Sequence, residues 1–422
     1  MATRPETQGE AGGAGAARAV ELHPDAVQRA RATGAGVVRH TPVLSSRTLS
    51  DRCGGVVALK AENLQRTGSF KLRGALSKLA ALGDGCASGV VAASAGNHAQ
   101  SLAYAARARG VPCEVFMPAD APVAKSEAAA ALGAVVHVGG GSVDECLVAA
   151  GERAQAGGLA FVHPFDDLDV VAGQGTLGLE LLDDVPDLAR VVVPLGGGGL
   201  ASGVAVAVKS ARPEVEVIGV QAAACAAYPA SLRAREPRAA DAVLTIADGI
   251  AIKRPGALTL PLVQRWLDHV AVVEEDQIAE AMILLLERAK LVVEGAGAVG
   301  VAALLSGQVR PAAEGTTVAV LSGGNVDAGL LASIARRHET EAGRRLVLFT
   351  RVADRPGALA RLLVCVASTG ANLLEVGHVR EGVDLHVRET GVELVLETRG
   401  TGHAERVRAA LHDGGYDTRP PG

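Results

Sequence analysis

The chain has 422 residues, of which 49% are hydrophobic, 21% are charged and 2% are aromatic, and 41 Lys and Arg residues against 46 Asp and Glu residues leave a net charge of −5. A chain of this length and apolar content can bury large cores, so wholesale disorder is excluded and about two or three domains are predicted. Nucleic-acid binding is not expected, because phosphate neutralisation requires clustered Lys and Arg and base stacking requires aromatic side chains.

The N-terminal segment and the cysteines indicate the cellular compartment. Residues 1–19 lack the apolar stretch of a signal peptide and are predicted to form a flexible tail. The six cysteines include no C-x-x-C pair and the eleven histidines no H-E-x-x-H motif, so neither a disulfide framework nor a metal site is indicated. We expect the cysteines to be small buried fillers and the protein to be cytoplasmic, with no bound metal.

One uncharged stretch, residues 191–208, approaches the length of a membrane span. Pro194 and the four glycines of Gly196–Gly199 interrupt it. It is therefore predicted to form a strand, a turn and a helix, and no membrane contact is expected.

The elements after the tail alternate between short β-rich runs and helical patterns rich in Ala and Leu. A first helix is predicted over 24–32. Strands are predicted over 89–93, 113–117, 134–138, 191–193, 215–220 and 317–321. Because these strands are almost continuously apolar, they are typical of parallel sheets covered by helices on both faces. The fold class is therefore α/β.

The pattern changes near residue 340, after the polar segment 336–345. The elements predicted beyond it are a strand over 346–352, a helix opening at Pro356-Gly357, a strand from Asn372, a strand over 392–398 and a helix over 403–413. The order β-α-β-β-α is typical of a ferredoxin-like fold. A separate C-terminal domain is predicted over residues 343–422.

Two motifs place candidate ligand-binding or reactive groups at the start of a predicted helix. Gly196–Gly199 follow a predicted strand and precede a small-residue helix beginning near Leu200, so backbone N–H groups can approach an anion there. Lys71 follows Thr67-Gly68-Ser69-Phe70, a setting that can partly bury the amine and lower its pKa. Taken singly, the glycine run is also compatible with a flexible turn, and the lysine with a solvated surface group.

Two further motifs follow predicted strands. Residues 94–100 (SAGNHAQ) open a helix and can present backbone N–H groups to a carboxylate, although an ordinary N-cap region is an alternative for Asn97 and His98. Ser322-Gly323-Gly324-Asn325 places a hydroxyl group at the carboxyl end of a strand, where α/β proteins bind ligands.

In their order along the chain and in their residues, these four motifs resemble those of the fold-type II pyridoxal-phosphate (PLP) enzymes, and most closely those of the threonine/serine ammonia-lyase (threonine dehydratase) branch. The resemblance extends over about residues 35–335. Smaller matches support it: Gly173-Gln174-Gly175-Thr176, Ala247-Asp248-Gly249, Arg254-Pro255-Gly256 and Glu294-Gly295-Ala296-Gly297.

The resemblance implies the domain organisation. A two-subdomain catalytic domain similar to the tryptophan synthase β chain would span residues 20–340, with a small subdomain over about 66–165. Residues 343–422 resemble an ACT regulatory domain through Asp354-Arg355-Pro356-Gly357 and the helix that follows.

The resemblance also implies a role for each residue that matches a motif. Lys71 would carry PLP as an internal Schiff base and later remove the Cα proton, Phe70 would flank the ring, and Asn97 would hydrogen-bond the phenolic O3′. The remaining cofactor contacts would be Gly196, Gly197, Gly198, Gly199 and Leu200 for the phosphate, Ser322 for the pyridine nitrogen, Gly249 at the ring edge and Glu294 nearby. The substrate carboxylate would be received by Ser94, Ala95, Asn97, His98 and Gln174.

The implied reaction is β-elimination, which converts L-threonine to 2-oxobutanoate and ammonia, and L-serine to pyruvate. A β-replacement synthase is disfavoured because His98 stands where that branch commonly has Thr. A racemase is disfavoured because Ala95 stands where related serine racemases have the Ser that acts on the face opposite Lys71. A non-enzymatic alternative is an amino-acid sensor with an inactive PLP fold.

The expected partners are small molecules and further copies of the chain. Gln221-Ala222-Ala223-Ala224 offers no carboxylate where serine racemases and some related lyases bind a divalent metal, so no divalent metal is predicted, while a monovalent cation bound by carbonyl oxygens stays an alternative. The resemblance leaves room for an amino-acid or nucleotide effector and implies a homo-oligomer, a dimer or a tetramer. A C-terminal domain that only dimerises the chain is the alternative to regulation.

Overall fold

A computed structural model describes residues 20–240, 244–380 and 385–420. The strands are β1 (Val43–Ser45), β2 (Val57–Ala61), β3 (Val90–Ala93), β4 (Cys113–Met117), β5 (Val135–Val138), β6 (Ala160–Phe161), β7 (Leu188–Pro194), β8 (Glu216–Ala222), β9 (His269–Val273), β10 (Thr316–Leu321), β11 (Arg345–Ala353), β12 (Asn372–Val379), β13 (Glu389–Glu397) and β14 (Thr418–Arg419).

The α-helices alternate with these strands. They are α1 (Pro24–Gly34), α2 (Arg47–Cys53), α3 (Lys71–Leu82), α4 (Asn97–Arg109), α5 (Val123–Ala131), α6 (Val143–Gly157), α7 (Leu168–Asp184), α8 (Gly199–Ala211), α9 (Tyr228–Ala234), α10 (Thr259–Trp266), α11 (Glu275–Leu284), α12 (Gly295–Leu305), α13 (Ala328–Glu341), α14 (Ala358–Ser368) and α15 (Thr401–Asp413).

The described residues form two units. The first comprises the chain up to Glu275 together with Glu294–Asn325, and the second comprises Asp276–Val293 and the chain from Val326 onward. The predicted tail, residues 1–19, lies outside the described residues.

The first unit contains two sheets. The larger has the strand order β1-β2-β10-β7-β8-β9 and the smaller β5-β4-β3-β6. All of the predicted α/β strands are confirmed, although 191–193 proves to be the middle of the longer β7. Both sheets are parallel except at β1, which pairs antiparallel with β2. The connection between these two strands contains the short helix α2.

Close packing between two helices supports the larger sheet. Gly203 of α8 lies against α7, where a Cβ atom would come within 2.3 Å of the carbonyl oxygen of Val171. The face of α8 that meets the sheet is apolar, and Ala201, Val204 and Val208 belong to the main core of the unit. Four of the cysteines are buried as predicted (Cys86, Cys113, Cys146 and Cys225), while Cys53 and Cys365 are partly buried.

The second unit contains an antiparallel sheet with strand order β12-β13-β11-β14 and the helices α14 and α15. The chain order is β-α-β-β-α-β, so the ferredoxin-like topology is confirmed and is completed by the two-residue strand β14, which the sequence analysis missed. The polar segment 336–345 is not an irregular break, because α13 continues to Glu341. Its charges lie on the exposed side of the helix, where Arg337 pairs with Asp276 and Glu341.

Candidate active site

The ends of parallel strands supply the segments of the candidate site. Segments 94–97, 162–166, 195–198 and 322–325 follow β3, β6, β7 and β10 respectively. In open α/β sheets, ligands bind at the carboxyl ends of the strands. The first unit therefore offers a binding site built from both of its sheets.

Lys71 is the first residue of α3. Its Nζ donates a hydrogen bond to the carbonyl oxygen of Pro164 at 2.8 Å and lies 5.3 Å from the centroid of the Phe70 ring. Burial lowers the pKa of Lys71 to about 8, although the negative charge of Glu294 acts in the opposite direction. An amine with this pKa is partly neutral near neutral pH, so it can act as a nucleophile or as a base.

Asn97 begins α4, and its side chain lies between two other residues of the site. Its Nδ2 donates to Glu294 Oε1 at 2.7 Å, and its Oδ1 accepts from Asn325 Nδ2 at 2.6 Å. Glu294 is 4% exposed. Burial, reinforced by the charge of Asp248, raises the pKa of Glu294 to about 7. This carboxyl group therefore changes its protonation near neutral pH.

The glycine run forms the turn between β7 and α8. Gly198 is the N-cap of α8 and has a φ of +95°. The carbonyl oxygen of Gly197 accepts hydrogen bonds from Thr259 Oγ1 at 2.6 Å and from the Tyr228 hydroxyl at 3.1 Å. A Cβ atom at Gly197 would lie 2.2 Å from the ring of Phe165. This turn therefore requires glycine, and it places backbone N–H groups at the start of a long helix, where an anion is stabilised.

The sequence analysis missed the segment 162–166, which directly follows β6. Its Pro164 accepts the hydrogen bond from Lys71. Its Val162 accepts at the carbonyl oxygen from His98 Nε2 at 3.0 Å. The segment thus contacts two of the predicted motifs at once.

The same segment also supports its own conformation and that of α10. His163 Nδ1 accepts from the backbone N–H groups of Phe165 at 3.3 Å and Asp166 at 2.8 Å. The Asp166 carboxylate accepts from the backbone N–H groups of residues 257–259 at the start of α10, at 2.8 to 3.1 Å. A signal was present in the sequence, because a polar His-Pro-Phe-Asp run follows a strand of a parallel sheet.

The predicted carboxylate loop lies between β3 and α4. Ser94 Oγ accepts from the backbone N–H of Gly96 at 3.2 Å, and Ala95 beside it is partly exposed. The His98 side chain is 2% exposed, and burial together with the charge of Lys71 lowers its pKa to about 3, so the ring is neutral. Any contribution of His98 to carboxylate binding would therefore come from its backbone N–H, and the role stays a prediction.

Gln174 is 1% exposed in α7. Its Oε1 accepts from the backbone N–H of Gly74 at 3.2 Å, and a Cβ atom at Gly74 would lie 2.3 Å from Gln174 Nε2. Gln174 therefore joins α7 to the helix that Lys71 begins. Its role toward the substrate stays a prediction.

The end of β10 is tied to the loop that precedes Lys71. Ser322 is 2% exposed, and its carbonyl oxygen accepts from the backbone N–H of Phe70 at 3.0 Å. The backbone N–H of Gly324 donates to the carbonyl oxygen of Gly68 at 2.9 Å. The position of the Ser322 hydroxyl is thereby coupled to that of the lysine.

Gly249 and Leu200 are the remaining residues predicted to contact the cofactor. Gly249 lies in the short 3-10 turn Asp248–Ile250, where a Cβ atom would lie 3.5 Å from Glu294 Oε1. Leu200 is buried in the first turn of α8. Predicted residues from distant parts of the chain therefore meet around Lys71 and Glu294.

The chemistry of these groups matches that of PLP. A lysine amine can bind the aldehyde, the glycine turn the phosphate, the Asn97 amide the phenolic oxygen and the Ser322 hydroxyl the pyridine nitrogen. Two buried hydroxyl groups, Ser69 Oγ and Ser202 Oγ, have no hydrogen-bond partner within the described part of the chain. Ser69 lies two residues before Lys71, and Ser202 lies in the helix after the glycine turn. The residues present therefore fit the cofactor.

The comparison with known proteins defines the class. Residues 35–323 match the family model described as pyridoxal-phosphate dependent enzyme, and the chain belongs to this family. It has the mixed α/β architecture of fold-type II, as predicted. A solved structure, maize serine racemase, superimposes with a TM-score of 0.71 at 34% identity and covers 76% of this chain and 98% of its own.

Two relatives are more similar in sequence. L-Threonine ammonia-lyase of Thermotoga maritima is 46% identical over 395 residues, which is 93% of this chain and 98% of that protein. Catabolic L-threonine dehydratase of Escherichia coli is 42% identical over 312 residues, which is 74% of this chain and 95% of that protein.

The uncharged stretch and the arrangement of potential metal ligands bear on the predicted absence of membrane and metal binding. Residues 191–208 form the C-terminal part of β7, the glycine turn and most of α8, as predicted. Among residues 20–240, 244–380 and 385–420, no helix combines the length and the apolar character that crossing a membrane requires. In the same ranges, no group of three or more His, Cys, Asp or Glu side chains is arranged to hold a metal ion.

Proposed function

We propose that this chain is an L-threonine ammonia-lyase, which converts L-threonine to 2-oxobutanoate and ammonia and L-serine to pyruvate and ammonia. The observation that carries the proposal is the 46% identity to the Thermotoga maritima L-threonine ammonia-lyase. An alignment over 395 of 422 residues includes both units of the chain. The residues of the site support the same chemistry.

Lys71 has the properties that cofactor binding and proton transfer require. Bound PLP supplies the electron sink that acidifies the Cα proton of an amino acid. Lys71 Nζ is the base that receives this proton, because its lowered pKa leaves part of the amine neutral and the Pro164 carbonyl oxygen orients it. The other cofactor contacts proposed are those predicted from the motifs.

Ser322 determines how strongly the pyridine nitrogen is held. A hydroxyl group is neutral, so it contributes a hydrogen bond of about 1 kcal/mol and no ion pair. The resulting weak electron withdrawal favours prompt loss of the β-hydroxyl group over transamination.

Serine racemase is the second candidate, because the fold superimposes on the maize enzyme. Racemisation requires a proton donor on the face opposite Lys71. The loop that follows β3 has Ala95 at the position concerned, and a methyl group has no proton to donate. This observation favours the lyase.

Residues 343–422, the C-terminal part of the second unit, are proposed to act as an ACT-like regulatory domain, and residues 20–340 as the catalytic domain. The ferredoxin-like sheet of residues 343–422 supports this assignment. Gly357, with a φ of +82°, caps α14 directly after Asp354-Arg355-Pro356, so backbone N–H groups there can receive the carboxylate of an amino-acid effector. A cytoplasmic homo-oligomer, a dimer or a tetramer, is part of the same proposal.

A coupled assay for 2-oxo acids tests the proposed activity. The purified holoenzyme is incubated with L-threonine, L-serine and related amino acids, with and without branched-chain amino acids and nucleotides. Release of ammonia and 2-oxobutanoate from L-threonine is expected. A PLP-loaded protein that binds amino acids but releases no ammonia would instead be a sensor, and the proposal would be wrong.

A further inference from the structure

We propose that Asn325 and Glu294 are positioning residues that fix the orientation of the Asn97 side-chain amide, so that an N–H group and not the carbonyl oxygen faces the cofactor. The inference deepens the proposed function, because it rests on the proposed hydrogen bond from Asn97 to the phenolic oxygen of PLP.

The orientation is determined from one end by Asn325. The carbonyl oxygen of Thr67 can only accept a hydrogen bond, so the Asn325 atom 2.9 Å from it must be Nδ2. The same Nδ2 lies 2.6 Å from the Asn97 side chain. Since Nδ2 is a donor, the Asn97 atom that it contacts must be Oδ1.

Glu294 determines the same orientation from the other end. Its Oε1 lies 2.7 Å from the second polar atom of the Asn97 side chain. An ionised carboxylate only accepts, so above the pKa of Glu294, which is about 7, this atom must be Nδ2, in agreement with the assignment from Asn325. Asn325 and Glu294 thus favour the same orientation of the Asn97 amide. A flipped amide would lose the hydrogen bonds to both residues.

The bond to Glu294 uses one of the two hydrogens on Asn97 Nδ2. The other remains for an acceptor on a bound molecule. A phenolic oxygen is such an acceptor, and a hydrogen bond to it stabilises its ionised form. The orientation of Asn97 therefore controls a charge on the cofactor.

Two glycines leave room for these side chains. A Cβ atom at Gly323 would lie 2.2 Å from Glu294 Oε1 and 3.2 Å from Asn97 Nδ2. A Cβ atom at Gly68, which has a φ of +73°, would lie 2.4 Å from Asn325 Oδ1. The backbone is thus shaped around the three side chains.

Asn325 also connects Asn97 to the lysine. Through Thr67 it reaches the loop that leads into α3, and the backbone N–H of Glu294 donates to the carbonyl oxygen of Gly323 at 3.1 Å. The residues that would hold the phenolic oxygen and the aldehyde carbon are thereby linked through one set of hydrogen bonds.

The test compares the absorbance band of bound PLP, which reports the ionisation of its phenolic oxygen, and the Kd for PLP in four proteins: wild type, Asn325→Asp, Asn97→Ala and the double variant. An ionised aspartate side chain at position 325 cannot donate a hydrogen bond, so we expect the side-chain amide of Asn97 to flip. We expect an altered band and about three- to tenfold weaker PLP binding for Asn325→Asp, the range of one lost hydrogen bond. In the Asn97→Ala background the same substitution should change neither quantity further.

Gln308→Glu is the matched control, because it replaces an amide by a carboxylate on an exposed residue of the same unit. Equal effects of Asn325→Asp with and without Asn97 would mean a general structural role and overturn the inference, as would an unchanged band. If Asn97→Ala itself leaves the band unchanged, the proposed contact of Asn97 with PLP fails, and the inference fails with it.

If Asn325→Asp does not fold, a pair of variants at Glu294 tests the same inference. Glu294→Gln keeps an oxygen that can accept from Asn97, and Glu294→Leu removes it. We expect the band of Glu294→Gln to match the wild type and that of Glu294→Leu to shift. Equal shifts in both variants would overturn the inference.

Discussion

Arg73 donates two parallel hydrogen bonds to Glu62, from Nε to Oε2 and from Nη2 to Oε1, both at 2.8 Å. On its other side, Arg73 donates to both carboxylate oxygens of Glu180 at 2.7 and 2.9 Å, and Lys60 lies 2.7 Å from Glu180. All four side chains are buried. Burial disfavours the charged guanidinium, but the two carboxylates outweigh this cost and raise the pKa of Arg73. Since Arg73 lies two residues after Lys71, this cluster anchors the start of α3.

Arg73→Leu is expected to lower the free energy of unfolding by roughly 3–5 kcal/mol, because it removes the cation that lies between the two buried carboxylates of Glu62 and Glu180. Arg73→Lys should also destabilise, since an ammonium group cannot make two parallel bonds. Urea unfolding of the apo protein measures both changes.

Arg153 provides the control, because it makes a similar two-pronged contact with Glu114 but is half exposed. Arg153→Leu should have a much smaller effect, since solvent screens exposed ion pairs. Equal losses for the two arginines would show that burial of the Arg73 cluster does not matter.

Lys71→Ala should abolish turnover, because both the cofactor link and the base are lost, and loss of a general base alone costs about 10²–10⁴ in rate. Reduction of the wild-type holoenzyme with borohydride, followed by peptide mapping, should place the pyridoxyl label on Lys71. Label on another lysine would refute the assignment.

The rate at which the apo protein takes up PLP should rise with pH and level off above about pH 8. Only the neutral amine attacks an aldehyde, and burial places the pKa of Lys71 at about 8, so each pH unit below this value should slow uptake about tenfold. Stopped-flow absorbance gives the profile.

Glu294→Gln tests the cause of this profile. The charge of Glu294 raises the pKa of Lys71, so its removal should move the midpoint of uptake to lower pH. A midpoint that does not move would contradict the electrostatic coupling between the two residues.

L-Serine should not be racemised. Chiral chromatography of reactions in deuterated water should find pyruvate and no D-serine, because Ala95 has no proton to donate. Ala95→Ser introduces a hydroxyl group on that face, so we expect D-serine to appear with this variant. Appreciable D-serine from the wild type would mean that another group protonates the opposite face.

A protein ending at Glu341, the last residue of α13, should keep PLP and turnover but lose its response to an amino-acid effector. Effector control requires one conformation to bind the effector better than another, with a coupling typically of about 1–3 kcal/mol. Activity with and without branched-chain amino acids, in full-length and shortened proteins, measures this. An unchanged response would place the effector site within the residues that the shortened protein retains.

Much of the fold followed from local patterns. The continuously apolar runs predicted the strands of the parallel sheets, since a strand buried on both faces has no polar side. The change of pattern near residue 340 predicted the ferredoxin-like sheet. Five strands of the described residues were not predicted. Three of them, β1, β6 and β14, have only two or three residues, which are too few positions to show a period, whereas β2 and β9 have five residues each.

The sequence by itself identified the candidate residues of the site, because each motif is a continuous segment whose residue types limit its function. Only the tertiary structure decided which side chains meet. Asn97 contacts Glu294 and Asn325, which are 197 and 228 residues away along the chain. The carbonyl oxygen of Pro164 accepts a hydrogen bond from Lys71 Nζ, 93 residues away. Such contacts depend on which strand ends lie side by side, and this order is set by the packing of two sheets and their helices, which no local pattern encodes.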